Sequence, residues 1–446
     1  MALVAYLCGL VGATRRAYAT DATDEWDFAG LVNKARYDAG LGPLGVLSGL
    51  RDMARAQSGR MAQRNTLYHN PNLATDAAAV APDWQRAGEN VGQGSDVAGL
   101  HDAFMASPHH RDNILGDFNY AGLGVVHANG RTWVTEVFLK AGPDKPLLTR
   151  VPVTRLAGAS PGDTSLAISR AQFPAGQADG VVVTRADVFA DALAGAPLAA
   201  ANRGPVVLTA SASVSNALVD EAQRVLKAAG TVYLLGGVAA LSPTVEAAFV
   251  ARGLRVTRVA GADRYETATL VAGLVNPAPD EVLLTSGTSF ADASVAGAPA
   301  ALERRPIVLT EAGRLPPPTV AYLATVPDAH RVVVGGVAAV SDAVAAAASS
   351  DDRVAGADRY ETSVRVAERF FPAPSRLSVA TGASFADALA ASPFSGPAGT
   401  PVVLVSPTPT PPTYAYVRDR ISSLTSSIVV GGPADVPAAP VTLLFT

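Results

Sequence analysis

The ten residues VAGADRYETA, Val259–Ala268, return almost unchanged as VAGADRYETS, Val354–Ser363, 95 positions later. A counterpart, RLAGASPGDTS from Arg155, lacks the Asp-Arg-Tyr-Glu core of this decapeptide. A match of this length does not arise by chance, so the chain beyond about residue 155 is interpreted as three copies of one unit. The decapeptide is either a ligand-binding element used more than once or a joint that every copy must contain.

Two further motifs recur in step with the decapeptide. A Phe-Ala-Asp tripeptide opens the stretches VFADALAGAP, SFADASVAGAP and SFADALAASP, which begin at Val188, Ser289 and Ser384. A Gly-Gly pair ends an apolar run at Gly236, Gly335 and Gly431. All three motifs directly follow a predicted strand, so they are expected to gather at one edge of each sheet, where open parallel sheets bind ligands.

Within a copy, continuous β-branched runs alternate with helical patterns. GVVVTRA is typical of a strand buried on both faces, whereas FADALAGAPLAAAN and VSNALVDEAQRVLKAAG, ended by Gly230, predict helices. Alternating strands and helices predict a parallel sheet with helices on both faces. The alanine-rich Phe-Ala-Asp helices have no polar face, so we expect the three to meet at a common centre.

Several repeated side chains are candidates for chemistry. Aspartates in the motifs are predicted to cap the following helices: Asp191, Asp263, Asp292, Asp358 and Asp387. Capping does not explain the Arg264-Tyr265 and Arg359-Tyr360 pairs, because an arginine beside an aromatic at a helix N-terminus suits a phosphate or carboxylate. These four residues are therefore polymer-binding candidates, with a purely structural joint as the alternative. The repeats have no GxGxxG or Walker motif, which argues against a nucleotide there.

The region before residue 141 has a different character. All three tryptophans and five of the six histidines precede residue 134. Helical patterns over 25–40, 46–65 and 97–107 precede two alternating runs joined by Asn129-Gly130, a pair that predicts a type I′ hairpin. We expect a separate α+β domain over 25–140, followed by a proline-containing linker over 141–154.

The first residues resemble an export signal. MALVAYLCGLVGA is a short apolar run, and Ala17-Tyr18-Ala19 fits a signal-peptidase site, which predicts a signal peptide over 1–19. No basic residue precedes the apolar run, which indicates a shortened signal. The only cysteine, Cys8, lies in this segment. The formal net charge of −4 gives no general attraction to nucleic acid, and no later apolar run is long enough to span a membrane.

The repeat motifs RVAGADRYETA, SFADALAASP and VVVGGVAAVS resemble those of the cell wall binding repeat type 2 family of Gram-positive surface proteins. The resemblance covers Arg155 to Thr446, with copies over 155–257, 258–352 and 353–446. It implies a Rossmann-like fold for each repeat, a pseudo-threefold unit of three repeats, and non-covalent attachment to an anionic wall polymer. Because the decapeptide of the first copy is altered, the three repeats are not expected to carry three equivalent sites.

In the first domain, AGENVGQG and SPHHRDNIL resemble the bacterial branch of the CAP superfamily, also called SCP-like extracellular domains. The resemblance implies an α+β sandwich whose cleft carries histidines and acids, here His69, Glu89 and His110. A second family glutamate has no clear counterpart, although Asp96 and Asp102 lie in the corresponding region. Two imidazoles and one carboxylate make a candidate Zn²⁺ site; the alternative is a buried hydrogen-bond network.

The expected function is that of an extracellular, wall-associated protein whose three repeats anchor a CAP domain to an anionic polymer. A binding protein is expected rather than an enzyme, with no catalytic residue assigned and no cofactor required. Two alternatives stay open: a wall-anchored, zinc-dependent hydrolase that uses the CAP cleft, and a lipid-binding CAP module.

Overall fold

The computed structural model describes residues 21–189 and 191–446, which divide into two units, 21–150 and 151–445. The predicted signal peptide and its cleavage motif lie outside the described residues. Within the described part of the chain, no helix is both long and apolar enough to cross a membrane.

The first unit is one four-stranded sheet with helices on both faces. Its elements are α1 (Ala22–Asp38), β1 (Gly45–Val46), α2 (Ser48–Arg64), α3 (Leu73–Val80), β2 (Arg86–Gly94), α4 (Val97–Ala106), α5 (Pro108–Ile114), β3 (Tyr120–Ala128) and β4 (Arg131–Lys140). The strand order is β1-β3-β4-β2, antiparallel except for the parallel pair β1-β3. Asn129 and Gly130 both have positive φ, which confirms the predicted type I′ turn between β3 and β4.

Close backbone contact fixes α2 on one face of this sheet. A Cβ added at Gly122 or Gly124 of β3 would lie less than 3.0 Å from backbone atoms of Leu50 or Ala54, so only glycine permits this approach. On the opposite face α1, α4 and α5 bury an apolar cluster that includes Phe28. The sheet is thus covered on both sides, and β2 is left as an edge strand.

The predicted linker 141–154 is not a free connection. Leu148 forms an antiparallel bridge to Val46, and Lys145 pairs with Asp83 at 2.7 Å. Its prolines prevent regular structure but do not prevent packing on the first unit. A strand of the second unit begins at residue 153, inside the predicted linker.

The second unit contains three four-stranded sheets built from one alternating series. From residue 153 to 259 the elements are β5 (Val153–Leu156), α6 (Pro161–Gln172), β6 (Ala178–Arg185), α7 (Gly195–Ala201), β7 (Val206–Thr209), α8 (Asn216–Val225), β8 (Leu226–Leu235), α9 (Pro243–Val250) and β9 (Arg255–Val259). From residue 264 to 354 they are α10 (Arg264–Val275), β10 (Glu281–Ser286), α11 (Phe290–Glu303), β11 (Ile307–Thr310), α12 (Pro317–Thr325), β12 (His330–Val334), α13 (Asp342–Ala347) and β13 (Asp352–Val354). The remainder is α14 (Arg359–Phe370), β14 (Arg376–Thr381), α15 (Ala386–Ser395), β15 (Val402–Val405), α16 (Pro411–Arg420), β16 (Ser426–Val430) and α17 (Ala438–Phe445).

All strand pairs in these sheets are parallel, as predicted. The strand orders are β7-β6-β8-β9, β11-β10-β12-β13 and β15-β14-β16-β5. The fourth strand of the third sheet is therefore β5, from the start of the unit, so that Val430 pairs with Leu156. The predicted boundaries at 257/258 and 352/353 fall inside β9 and β13, because the fourth strand of each sheet leads directly into the next decapeptide.

Two helices of the first copy are shorter than predicted. The helix predicted to reach Gly230 ends at Val225, since the backbone of Leu226 pairs with Ala178 and begins β8. The Phe-Ala-Asp helix α7 is regular only from Gly195.

The three alanine-rich helices α7, α11 and α15 contact one another, as predicted. A Cβ added at Gly297 of α11 would lie 2.9 Å from the Ser392 Cβ of α15 and 3.3 Å from the Ala196 Cβ of α7. At the end of this bundle the rings of Phe189, Phe290 and Phe385 form a triangle with centroid distances of 5.8, 6.0 and 6.2 Å. Small side chains therefore allow three helices to share one centre.

Candidate functional site

The carboxyl ends of the parallel strands bring the three repeated motifs together at junctions between sheets. We name a junction by the helix that follows the fourth strand: α6 starts the first junction, α10 the second and α14 the third. Each of these helices packs on the next sheet, against β7, β11 or β15 respectively. Each junction thus joins two neighbouring sheets.

Asp263 and Asp358 cap the helices that follow them, which confirms their predicted role. The Asp263 carboxylate accepts from the Tyr265 and Glu266 N–H groups, both at 2.9 Å. Asp358 caps α14 in the same way. A carboxylate at this position satisfies N–H groups that have no partner within the helix.

The Phe-Ala-Asp aspartates have a different place from the one predicted. The N-caps of α11 and α15 are Ser289 and Phe385, so the aspartates do not cap these helices. Their carboxylates instead lie beneath the Gly-Gly turns, where a Cβ on the first, positive-φ glycine would be less than 3.0 Å from a carboxylate oxygen. These pairs are Asp191 with Gly236, Asp292 with Gly335 and Asp387 with Gly431.

Arg264 and Arg359 hold the second and third junctions together. The Arg264 Nη1 donates to the Gly287 carbonyl at 2.6 Å, and the Arg359 Nη1 donates to the Gly382 carbonyl at 2.7 Å. Each guanidinium also lies over a central phenylalanine, 5.9 Å from the ring centroid of Phe189 for Arg264. Both arginines are half-buried. Their hydrogen bonds connect the start of one helix to the loop after the first strand of the next sheet, as expected for a structural joint.

The neighbouring tyrosines close the same two junctions. Tyr265 lies against Gly287 and Tyr360 against Gly382, and at both glycines an added Cβ would come within 3.0 Å of the ring. Both rings pack on the main core of the second unit. The four polymer-binding candidates are thus assembled at two matching places, in contacts that also explain why the pairs are repeated.

The electrostatic surroundings of the three buried aspartates are unequal. Burial raises the pKa of each, but for Asp292 a threonine hydroxyl and the charge of Arg359 oppose the rise, and Asp191 is placed in the same way. Asp387 faces the first junction, where a proline stands at the arginine position. Burial, reinforced by the charge of Asp435, raises the pKa of Asp387 to about 6.

A second set of arginines, not singled out from the sequence, ties each fourth strand to its Gly-Gly turn. Arg155, Arg258 and Arg353 donate to the carbonyls of Gly431, Gly236 and Gly335 at 2.7, 2.9 and 2.7 Å. The signal was present, because an arginine precedes each copy of the decapeptide. The role of this arginine could not be predicted, because it depends on which Gly-Gly turn lies beside which fourth strand.

In the first unit, the cleft candidates gather around the edge strand β2. The Glu89 side chain is buried, and its Oε1 lies 2.9 Å from the His69 Nδ1 and accepts from the Asn70 N–H at 2.8 Å. Its other oxygen is buried without a hydrogen-bond partner among the described residues. The His69 side chain is 64% exposed, so this histidine reaches the protein surface while Glu89 stays buried beneath it.

His110 lies on α5, whose backbone packs on the other side of β2. Its ring packs against Phe104 in a tilted arrangement with centroids 4.7 Å apart, and burial, aided by the charges of His69 and His109, lowers its pKa. Its Nδ1 is buried without a hydrogen-bond partner within the described residues. A neutral imidazole of this kind can accept a proton or bind a metal ion.

A buried polar group next to this histidine was missed from the sequence. The Asn90 amide donates to the Glu136 carboxyl at 2.8 Å and to the His110 carbonyl at 3.0 Å, and it accepts from Asn113 at 2.8 Å. Burial raises the pKa of Glu136 to about 8, although the Asn90 bond opposes the rise. Glu136 is therefore protonated at neutral pH, and only its pairing opposite Asn90 in the sheet brings it here.

The predicted second acid is not supplied by Asp96 or Asp102. Asp96 caps α4 by accepting from the Gly99 N–H at 2.8 Å, and Asp102 is exposed on that helix. Across residues 21–189 and 191–446, the one set of three histidine or acidic side chains with ligand atoms all within 4.8 Å is Asp21, Asp24 and His127. His69, Glu89 and His110 are more widely spaced than that, whereas ligands of one Zn²⁺ lie roughly 3.5 Å apart. Zinc in this cleft stays a prediction.

Two parts of the chain match known protein families. Residues 155–246, 258–345 and 353–440 each match the family described as cell wall binding domain 2, together more than half of the chain. Residues 29–138 match the cysteine-rich secretory protein family, abbreviated CAP.

Two curated relatives come from Bacillus subtilis (strain 168). N-acetylmuramoyl-L-alanine amidase LytC is 29% identical over 240 residues, covering 53% of this chain and 47% of the amidase. The amidase enhancer is 26% identical over 238 residues, covering 53% of this chain and 32% of the enhancer. The chain thus spans less than half the length of either relative.

Two solved structures from Clostridium difficile share the fold. Cwp8 has a TM-score of 0.61 at 22% identity, covering 80% of this chain and 64% of Cwp8. Cwp6 has a TM-score of 0.58 at 23% identity, covering 69% of this chain and 50% of Cwp6. The chain belongs to the cell wall binding domain 2 family and carries a CAP domain followed by three cell wall binding repeats.

Proposed function

We propose that this is an exported, wall-associated protein whose three repeats bind an anionic polymer of a Gram-positive wall and thereby display the CAP domain. The observation that carries the proposal is the joining of three cell wall binding domains around one helical centre. Three copies joined in one unit allow several contacts with a polymer of repeating chemistry at once, which strengthens binding without a tight individual site.

The relatives support an association with the wall. One relative is named as an amidase that acts on N-acetylmuramoyl-L-alanine, and the other is named as an enhancer of an amidase. Their activities are not carried over, because this chain spans less than half of each.

Charge limits where such a polymer could lie. The chain has a formal net charge of −4, so attraction must come from local basic groups rather than from the whole molecule. Arg264 and Arg359 stay polymer-contact candidates through the N–H groups that do not bond to Gly287 and Gly382. Attraction of this kind is screened beyond about 8 Å at physiological ionic strength, so binding should weaken as salt rises.

The CAP domain is proposed as the displayed, functional part of the protein, with a ligand that is not assigned. A zinc-dependent hydrolase with His69, Glu89 and His110 as ligands stays a prediction, supported by the unused Glu89 oxygen and the neutral His110 ring. The same side chains also suit a hydrogen-bond network that shapes the cleft. A lipid-binding role stays a prediction as well.

Co-sedimentation with purified walls tests the anchoring proposal. The full chain should sediment with intact Gram-positive walls, and binding should fall several-fold between 50 mM and 500 mM salt, concentrations chosen to change the screening length. Walls stripped of their secondary polymers, with the peptidoglycan retained, are the matched control and should bind little protein. Equal sedimentation with intact and stripped walls would show that the polymer is not the ligand.

A further inference from the structure

The first junction differs from the other two at its centre. Pro161 and Gly162 stand where the second junction has Arg264 and Tyr265, as the RLAGASPGDTS counterpart of the decapeptide shows. The rest of the junction is kept: the Gly158 N–H is bonded to Thr164 Oγ1 at 3.0 Å, as Gly261 is to Thr267 at 3.1 Å. The frame is therefore intact, and only the two large side chains are missing.

Those side chains fill a defined volume elsewhere. At the second junction the Tyr265 ring and the Arg264 stem lie against Gly287, beside Leu309 at the end of β11. The corresponding residues at the first junction are Ala186 and Leu208. Here the structure has an open cavity of about 430 Å³, which is within the size range of small-molecule sites.

The cavity is lined by apolar, hydroxyl and carboxylate side chains. Its apolar part includes the buried Leu208 and Leu218, and its rim carries hydroxyl and carboxylate groups. The apolar part includes Pro161, Ala186, Leu208 and Leu218, and the polar part includes Ser160, Asp163, Asp187, Thr209, Ser211, Ser213 and Ser215. None of the side chains in this lining is basic.

This lining selects against anions and favours a sugar. Asp163 has no lysine or arginine beside it in the lining and therefore disfavours phosphate and carboxylate ligands, whereas the charge of Asp187 is compensated by Arg185. Carboxylate oxygens accept hydrogen bonds from sugar hydroxyls, serine and threonine hydroxyls both donate and accept, and an apolar floor suits the C–H face of a pyranose ring. Asp163 is the better acceptor for a sugar hydroxyl. Its carboxylate accepts one hydrogen bond from Ser160 at 2.7 Å, whereas the Asp187 carboxylate is paired with Arg185.

We propose that the first junction is a binding site for one uncharged sugar residue of a wall glycan, opened by the replacement of the Arg-Tyr pair with Pro161-Gly162. The identification of the glycan as a wall polymer rests on the proposed function; the sugar-binding chemistry of the cavity does not. In the second and third junctions the tyrosine ring occupies the corresponding volume, so that only the first junction leaves it open for a sugar.

Titration of the full chain with N-acetylglucosamine, followed by ligand-observed NMR, tests this site. A single sugar ring should bind with a Kd on the order of 1 mM. N-acetylmuramic acid, which adds a carboxylate to the same ring, and inorganic phosphate should bind at least about tenfold more weakly, because of the negative charge of Asp163.

The decisive variant restores the missing pair, Pro161→Arg with Gly162→Tyr. It should fill the cavity and weaken N-acetylglucosamine binding at least about tenfold. Some loss of thermal stability is expected, because a Cβ at Gly162 would lie 2.9 Å from the Leu208 carbonyl oxygen. The control Gly273→Tyr places the same ring on the exposed face of α10, where nothing lies within 4 Å of the new Cβ, and should bind as the parent does.

If the restored pair unfolds the chain, Asp163→Asn provides a second test. It keeps the shape of the side chain but removes the charge, so N-acetylglucosamine should bind several-fold more weakly and the preference over N-acetylmuramic acid should shrink. No saturable binding to the parent, or equal affinity in the parent and in every folded variant, would overturn the proposal. Sugar binding without wall binding would instead defeat the anchoring function, and wall binding without sugar binding would defeat only this site.

Discussion

At the scale of single residues, the proline at position 161 changes the electrostatic surroundings of Asp387, which lies far away in the sequence. Asp292 has Arg359 beside it, whereas Asp387 faces a junction that carries Pro161 in place of an arginine. Asp387 instead has Asp435 as a charged neighbour, and together with burial this raises its pKa to about 6. Its carboxylate is therefore a source of instability at neutral pH.

The expected consequence is a pH-dependent stability that Asp387→Asn removes. The pKa is higher in the folded than in the unfolded chain, near 3.9, so the folded state retains a proton that the unfolded state loses. The contribution of Asp387 to stability should fall as pH rises from about 4 to about 6 and then level off, by up to about 3 kcal/mol. Urea unfolding measured from pH 4 to pH 7 should show this fall in the parent and a smaller one in the variant.

Asp435→Asn is the companion variant for this measurement. Removing the neighbouring charge should lower the pKa of Asp387 and thus reduce the fall in part. Identical pH profiles for the parent and Asp387→Asn would contradict the account.

Candidate site residues could be predicted where a local pattern defines their role. Asp263 and Asp358 were predicted as helix caps because capping depends on residues two or three positions away. The roles of Asp191, Asp292 and Asp387 could not be predicted, since each depends on a turn about 44 residues later in the chain, as from Asp191 to Gly236. Glu136 was missed for the same reason: its partner Asn90 lies on a different strand.

At the scale of elements, periodicity predicted most strands and helices, and small residues predicted the contact of α7, α11 and α15. The sequence could not predict which sheet β5 joins, because the contact between Arg155 and Gly431 connects residues 276 positions apart. A strand of four residues at the end of a proline-containing stretch gives no local signal for such a partner. The result is that residues from both ends of the repeat region form one sheet.

Close packing between α15 and α11 makes Gly396→Ala a sensitive test of the helical centre. A Cβ there would lie less than 3.0 Å from backbone atoms of Ala298 and Leu302, which cannot move independently of α11. We expect a loss of about 1–3 kcal/mol in the stability of the repeat unit, measured by urea unfolding followed by circular dichroism.

Gly273→Ala is the matched control, since nothing lies within 4 Å of its added Cβ on α10. It should leave stability unchanged or raise it by up to about 1 kcal/mol, because alanine favours helix. Equal stabilities for the two variants would show that the three helices are not closely packed.

At the scale of the whole molecule, the two units differ in a way that makes them separately observable. All three tryptophans, Trp26, Trp84 and Trp133, belong to the CAP unit, and the repeat unit has none. Tryptophan fluorescence therefore follows unfolding of the CAP unit, whereas far-ultraviolet circular dichroism follows both units. The same protein sample can report which unit a ligand stabilises.

The central claim is that the repeats, and not the CAP domain, hold the protein on the wall polymer. The most direct measurement is thermal unfolding of the full chain with soluble secondary polymer released from walls, recorded by both signals. At about 100 times Kd the polymer should raise the unfolding temperature of the repeat transition by about 4 °C, with the tryptophan transition unchanged. A shift of the tryptophan transition alone, or no shift in either signal at saturating polymer, would contradict the account.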